Sequence, residues 1–444
     1  MKSPVPPTTV RDILVERLES LLAECDRVMD DAQFGQIFHD LDDFLLVAGK
    51  KFLQELYQEK LQERIQQAEQ NAETKQCSDC KKKTEYLNTK AKTFISAHGA
   101  IRLKRQYRYC SCCDTNFFPV EAAFGLTTPH TTALTRLVSR CCGLWSYRLA
   151  AENLQELCGI YLSHATVGNI AVNTAENISD RLKDNVDIRN TFQKAKGEIE
   201  FYADGVFVHT RHEEGKAEYR EFKIGALVKR ECGAFALPSE WATRKLPDTT
   251  VVSAFASIVD KEEFQERCQK MRRSLGVGGV SSALGDGAKW IWNVSQVVFG
   301  KSDECLDIYH GAQHISDCGK VLFGESQASK DWFERMRLVL LSEGFPGMER
   351  ELQLLGTLEE KQQATVDTLL EYLKNNAQRL NYAERLAMGR AIGSGLIEGA
   401  CKNLIGKRLK QTGACWRVPR ANRIAILCAT LYSNQWKQAW KNTY

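Results

Sequence analysis

Residues 198–209 read EIEFYADGVFVH and residues 219–229 read YREFKIGALVK. Both runs are rich in aromatic and β-branched side chains, which suit a pleated surface, and a polar turn separates them, so they predict a β-hairpin. Asp204 lies inside the first run. A carboxylate buried in an apolar strand is costly unless a cation or a hydrogen-bond donor meets it. Further along, LGDGAKWIW (residues 284–292) places Asp286 at the end of another strand. The glycine after it lets the backbone turn away and leaves this carboxylate exposed beside the first. A third acid, Glu398, belongs to GSGLIEGACKNLIGKRLK (residues 393–410), where it precedes a basic helical face formed by Lys402 and Arg408. An acid on the same helix as phosphate-binding cations suits a metal site that also grips a DNA backbone. Each acid alone also reads as a turn aspartate or a helix-capping residue; their order along the chain is what makes them a set.

Three such acids suit one chemistry well. Phosphoryl transfer between DNA strands needs no covalent cofactor but two hard cations roughly 4 Å apart, one at the attacking oxygen and one at the leaving oxygen. Carboxylates are the natural ligands for Mg²⁺ or Mn²⁺.

Between these motifs, residues 248–273 read as helix, a glycine-rich stretch leads to the strand ending at Asp286, and residues 304–309 read as a strand. Residues 310–386 are helical by period. Upstream, Val10 to Glu73 reads as two or three helices, with Leu14, Leu18, Leu21 and Leu22 at three- and four-residue spacing. The Gln-, Glu- and Lys-rich stretch 51–70 reads as a solvated helix or a helical dimer contact. In residues 131–182, a helix over 147–157, Gly159, the capping Ser163 and a second helix over 165–178 resemble a helix-turn-helix, although ordinary helical packing has the same signature. His164 reads as a turn residue.

Cys77-Ser78-Asp79-Cys80 and Cys110-Ser111-Cys112-Cys113 are two C-x2-C pairs flanking a basic, β-prone segment. Their spacing supplies four thiolates, from Cys77, Cys80, Cys110 and Cys113, for one structural Zn²⁺ in a zinc-ribbon-like module. Cys112 can replace either of its neighbours in that set. Between the pairs, Arg102, Lys104, Arg105 and Arg108 alternate with Tyr107 and Tyr109, a pattern that suits a path along phosphates or a solvated strand face.

The chain has 444 residues, too many for one growing core, and 43% hydrophobic and 26% charged content, which excludes wholesale disorder. No apolar run approaches the roughly 20 residues of a membrane helix. The first nine residues hold one lysine and three prolines and lack a secretory apolar stretch, so a cytoplasmic location and no membrane partner are expected. Sixteen cysteines spread through so long a chain read as reduced thiols rather than a disulfide scaffold. Net charge is only +4, but the 46 residues after Glu398 hold nine Lys or Arg and no acid. Binding of a polyanion is therefore expected at the C-terminal end.

The blocks YADGVFV, LGDGAKWIWN, LDIYHGAQHI and GSGLIEGACKNLIGKRLKQTGACWR together resemble insertion-sequence transposases of the ISKra type, within the DDE group that includes Mutator-like elements. The resemblance covers roughly residues 197–440. It implies a ribonuclease H-like α/β core in which Asp204, Asp286 and Glu398 are metal ligands, with a helical insertion filling the 112-residue gap between the last two. It implies that His310, in Asp307-Ile308-Tyr309-His310, stands near the scissile phosphate and that Asp307 orients that region; His310 and His314 alternatively share one helical turn for structural reasons. Trp416, Trp290 and Trp292 are candidates for stacking on a base, with core packing expected for at least two of them.

The expectation is thus an α+β multidomain chain. Its parts are a helical region (1–75), the zinc-ribbon-like module (76–120), a helix-turn-helix-like region (121–195), the catalytic core with a basic tail (196–310 and 387–444) and the helical insertion (311–386). The expected activity is cleavage and strand transfer on DNA. Partners would be terminal inverted repeats and target DNA, with Lys402, Arg408, Lys410, Trp416 and Arg417 as DNA contacts, and a homo-oligomer is implied. The alternatives are a ribonuclease H-like nuclease that does not join strands, acting on DNA or RNA, and a transposase-derived DNA-binding regulator.

Overall fold

The computed structural model describes residues 9–211 and 215–441, in two compact units that divide after Ala171. Eight of the nine N-terminal residues on which the lack of an export signal was argued lie outside the described residues. Among the described residues no helix is long and apolar enough to cross a membrane.

The first unit begins with α1 (Val10–Asp31) and α2 (Ile37–Gln70), followed by β1 (Glu85–Ser96), β2 (Gly99–Cys110) and the short β3 (Thr115–Phe117) in one antiparallel sheet, order β1-β2-β3. Because β3 pairs only with Arg108–Cys110, most of the outer edge of β2 has no strand beside it. The glutamine-rich half of α2 covers that edge. Gln54 donates to the Ala100 carbonyl. Gln58 Oε1 accepts from Arg102 N at 2.8 Å. Gln62 accepts from Lys104 N at 2.8 Å and donates to its carbonyl at 3.0 Å. Glu69 accepts from Gln106 N at 2.6 Å. Four helical residues advance about 6.0 Å and two strand residues about 6.8 Å, so glutamines at 54, 58 and 62 stay in step with strand residues 100, 102 and 104. The mismatch of roughly 0.8 Å per step then accumulates, and the next partner is 69 rather than 66. The stretch expected to be solvated or to join two chains thus caps a sheet edge, which would otherwise invite pairing with another strand. Ile65, Phe94, Ile101, Leu103, Val120 and Leu126 form the core beneath. Arg105 and Arg108 are buried with it, the first paired with Glu121 and the second bonded to Thr84. They are no part of a phosphate path, whereas Arg102 and Lys104 face outward.

The helices α3 (Thr132–Leu144) and α4 (Tyr147–Cys158) follow, α4 ending on Gly159 at φ 66°, and α5 (His164–Leu182) starts with Ser163 Oγ accepting from Thr166 N at 3.1 Å. The glycine stop and serine start fall where the sequence placed them.

In the second unit, after α6 (Val186–Lys194), β4 (Glu198–Arg211) and β5 (Ala217–Arg230) form the expected hairpin. Next come β6 (Thr249–Ser257), α7 (Lys261–Leu275), β7 (Ser282–Gly285), α8 (Lys289–Phe299) and β8 (Asp303–Leu306). The five strands make one mixed sheet, order β6-β5-β4-β7-β8, antiparallel on the β5 side of β4 and parallel on the β7 side. Residues 249–257 were expected to be helical and are a strand. The β-branched start TTVV favours an extended backbone, and the helix begins only where Asp260 Oδ1 accepts from Glu263 N at 2.7 Å. The expected strand 304–309 also stops early, because Asp307 caps α9 (Ile308–Phe323).

A helical segment, α10 (Gln327–Gln353), α11 (Glu360–Asn375) and α12 (Tyr382–Ala387), leads to α13 (Gly395–Ala400), a π-helical turn Cys401–Gly406 and α14 (Lys407–Leu409). The basic C-terminal stretch is packed helix rather than tail. Here α15 (Val418–Tyr432) buries Ala421, Ile424, Ala425, Leu427 and Cys428 and lies along β6, with a short α16 (Trp436–Ala439) after it. Ser433 Oγ accepts from Ala254 N at 2.9 Å and Asn422 Oδ1 from Ile258 N at 2.8 Å, so side chains again occupy the polar groups of an edge strand.

Candidate metal centre

Strand register brings the acids together. In the parallel pairs, Tyr202 stands opposite Leu284 and Gly285 opposite Leu306. Continuing those registers, Asp204 falls opposite Asp286, and Asp286 opposite Asp307. Residues opposite one another in parallel strands share a face, and neighbouring strands are about 4.8 Å apart. The three aspartates therefore form a row, with Asp204 in the middle of the long β4 and Asp286 and Asp307 directly after the carboxyl ends of β7 and β8, where ligands of open α/β sheets bind.

Each aspartate is held differently. Asp204 is partly buried; its Oδ1 accepts from Gly205 N at 2.7 Å and its Oδ2 from the Cys401 thiol at 3.2 Å. Burial, followed by the negative charge of Asp286, pushes its pKa up, and this outweighs the opposing influence of the Cys401 and Gly205 donors and of His310. A Cβ at Gly205 would lie 2.0 Å from Glu221 Oε1, so a larger residue there would displace that carboxylate from its pairing with Lys223. Asp286 folds back so that Oδ1 accepts from Ala288 N at 2.9 Å, and Gly287 turns the chain at φ 99°. Asp307 is fully buried; it caps α9 by accepting from Tyr309 N at 2.8 Å and accepts from Ser394 Oγ with its other oxygen.

Asp307, His310 and Glu398 form the tightest group: one ligand atom from each lies within 4.8 Å of the other two. Asp307 precedes the first residue of α9 and His310 follows one turn later, so both face the same way. Glu398 comes from α13, beside Ser394, whose hydroxyl already holds Asp307. Of the three expected ligands, Glu398 thus sits in this group, while Asp204 and Asp286 border it, Asp204 within the electrostatic reach of both Asp286 and His310. Asp307 was expected to orient the region, and it is placed as a candidate ligand as well. Carboxylate oxygens with one imidazole suit a hard or borderline divalent cation. Cys401 went unnoticed in the sequence. It lies in the π-helical turn that follows Glu398, a distortion common at functional sites, and burial beside Asp204 pushes its pKa far above the usual thiol value.

The candidate DNA contacts divide. Lys402, Lys410 and Arg417 are exposed. Arg408 and Trp416 are not, at 2% and 9% exposure. Trp416 Nε1 donates to the Leu409 carbonyl at 2.9 Å, the Arg408 guanidinium lies 5.1 Å from its ring, and its backbone bridges to β4 beside Thr210. Both residues knit the segment after Glu398 onto the sheet and cannot reach DNA. Trp292 is buried as well, and Trp290 packs edge-on against Phe264 at 5.2 Å.

In the first unit, the sulfurs of Cys77, Cys80, Cys110 and Cys113 lie within 4.8 Å of one another. Lys81 and Asp114, which directly follow the two pairs, adopt left-handed conformations at φ 60° and 52°. Such a backbone is uncommon without glycine, and its occurrence after both pairs makes them two copies of one knuckle turn. Cys112 is exposed and outside the group of four.

No protein-family model matches this chain, and no curated protein matches it.

Proposed function

We propose that this chain is a DDE-type transposase, a metal-dependent enzyme that cleaves and joins DNA at the ends of a mobile element. The observation that carries this reading is the row of Asp204, Asp286 and Asp307 on three adjacent strands, with His310 and Glu398 grouped around Asp307. The sheet supports a ribonuclease H-like core. Three antiparallel strands lead into two parallel ones, and the last acid arrives on a helix after a long helical segment.

Bound Mg²⁺ or Mn²⁺ would supply activation of a water or a 3′ hydroxyl and stabilisation of the leaving oxygen. Asp204, Asp286 and Glu398 would hold the cations, with Asp307 as a further ligand. His310 would orient the phosphate or carry a proton. The exposed Lys402, Lys410 and Arg417 would neutralise the DNA backbone beside the cut. Four thiolates at tetrahedral spacing support a structural Zn²⁺ at the cysteine knuckles. The exposed Ser163, His164 and Ala165 at the start of α5 suit groove contacts by a helix-turn-helix, and a paired assembly of chains would hold two element ends.

The test is incubation of the full chain with a duplex carrying the DNA that flanks its reading frame, a supercoiled plasmid and Mg²⁺ or Mn²⁺. Cleavage at the element boundary followed by joining to the plasmid is the expected result. Cleavage without joining would replace this reading with a nuclease, and DNA binding without cleavage in either metal would replace it with a regulator.

A further inference from the structure

Tyr372 lies on α11, far in sequence from every acid of the metal centre, yet its hydroxyl donates to the backbone carbonyl of Asp286 at 3.1 Å. The contact is close on all sides. A Cβ on Gly287 would come within 3.2 Å of that hydroxyl and 3.0 Å of Leu306, so the turn after Asp286 fits closely against the tyrosine. The other side of the tyrosine meets α9, where the His314 ring lies 4.0 Å away, centroid to centroid, tilted by 33°. His314 is one turn beyond His310 on the same helix. Burial lowers its pKa, which favours the uncharged ring in this stack. One side chain therefore touches both the Asp286 turn and the helix that carries His310 and is capped by Asp307.

From this geometry we infer that Tyr372 is a positioning residue of the metal centre, through which the helical segment sets Asp286 against Asp307 and His310. The inference rests on the metal-dependent reading above and names what that reading lacks, a reason for the helical segment to be joined to the acids. Asp286 is bonded within its own turn through Ala288, which fixes its rotamer but not the position of the turn. The Tyr372 hydroxyl supplies the second constraint. Ligands held in place lose less freedom when the cation arrives, so deleting the hydroxyl should weaken cation binding without removing a ligand.

The experiment compares Mn²⁺ binding to the full-length wild type, Tyr372→Phe and Tyr382→Phe by electron paramagnetic resonance, with thermal melting of each protein without metal. Tyr382→Phe is the control, because that buried hydroxyl has no hydrogen-bond partner among the described residues. Tyr372→Phe keeps the ring and its stack on His314, so its metal-free melting should fall by no more than the loss of one hydrogen bond implies, and the protein stays folded at the assay temperature. Its Mn²⁺ affinity should fall about three- to tenfold, the usual worth of one hydrogen bond, and the Mn²⁺ concentration for half-maximal DNA cleavage should rise in parallel. Equal affinities for wild type and Tyr372→Phe would overturn the inference while leaving the metal centre intact. An equal loss in Tyr382→Phe would also overturn it, as general loosening of the helical segment. Absence of Mn²⁺ binding to the wild type would instead remove the metal centre itself, and the inference with it.

Discussion

The Cys401 thiol donates to Asp204 Oδ2 across 3.2 Å, so the sheet acid and the helical segment that carries Glu398 are already joined before any cation arrives. This contact satisfies a carboxylate that burial destabilises. In the proposed metal-bound state it would have to yield as that oxygen became a ligand.

Replacing Asp204 with Asn should therefore separate stability from function. Its pKa is raised in the folded chain, so between the ordinary carboxyl value of 3.8 and the raised one the folded state holds the proton more tightly than the unfolded state. Stability without metal falls as pH rises through that window, and the full penalty applies above it. Asp204→Asn should melt higher than wild type at neutral pH in chelator, and lose both cleavage and the rise in melting temperature that Mn²⁺ gives the wild type. A lower melting temperature for the variant in chelator would contradict the assignment of burial as the dominant influence.

Metal dependence should vary with pH in the opposite sense. The cation binds only the ionised carboxyl, so Mn²⁺ affinity should rise with pH through the raised Asp204 value and then level off. Isothermal titration from just above pH 3.8 to neutral pH checks this; an affinity flat over that whole range would mean that Asp204 is not a ligand.

The basic residues after Glu398 should fall into two groups. Lys410→Ala and Arg417→Ala should weaken DNA binding at every sequence and lower the salt slope by about one each, with melting unchanged. Arg408→Ala should instead lower the melting temperature, because its guanidinium is buried against Trp416. Filter binding over a salt series with parallel melts distinguishes the two behaviours.

The edge-capping glutamines predict a structural phenotype. Gln62→Ala removes two hydrogen bonds to Lys104 and should cost about 1–3 kcal/mol in the first unit. Gln58→Ala with Gln62→Ala should in addition promote concentration-dependent association through the exposed edge of β2. Denaturant unfolding and light scattering report these two effects, and a double variant that stays both stable and monodisperse would show that the ladder is incidental.

Much of the candidate metal centre could be read from residues alone. Asp204 and Asp286 each interrupt or end an apolar run and are each followed by glycine, and an acid so placed calls for a cation or a donor to meet it. The paired cysteine spacings were equally legible, because a knuckle is a local structure. What depends on distant partners was not. Asp307 reads as a strand residue until β8 is seen to end one position earlier, where Leu306 pairs with Gly285, the residue before Asp286. A count of positive charge cannot tell that Arg408 points inward while Lys407 and Lys410 point out. Glutamines every fourth residue look like a solvated face, and only the neighbouring strand explains their period. Tyr372 carries no local signal at all.

The most direct measurement is the anomalous difference map of a crystal of the full chain grown with Mn²⁺. Density is predicted between Asp307, His310 and Glu398 and extending toward Asp204 and Asp286, with oxygen ligands at about 2.0–2.3 Å. A map without manganese at these five residues, from folded protein, would contradict the account.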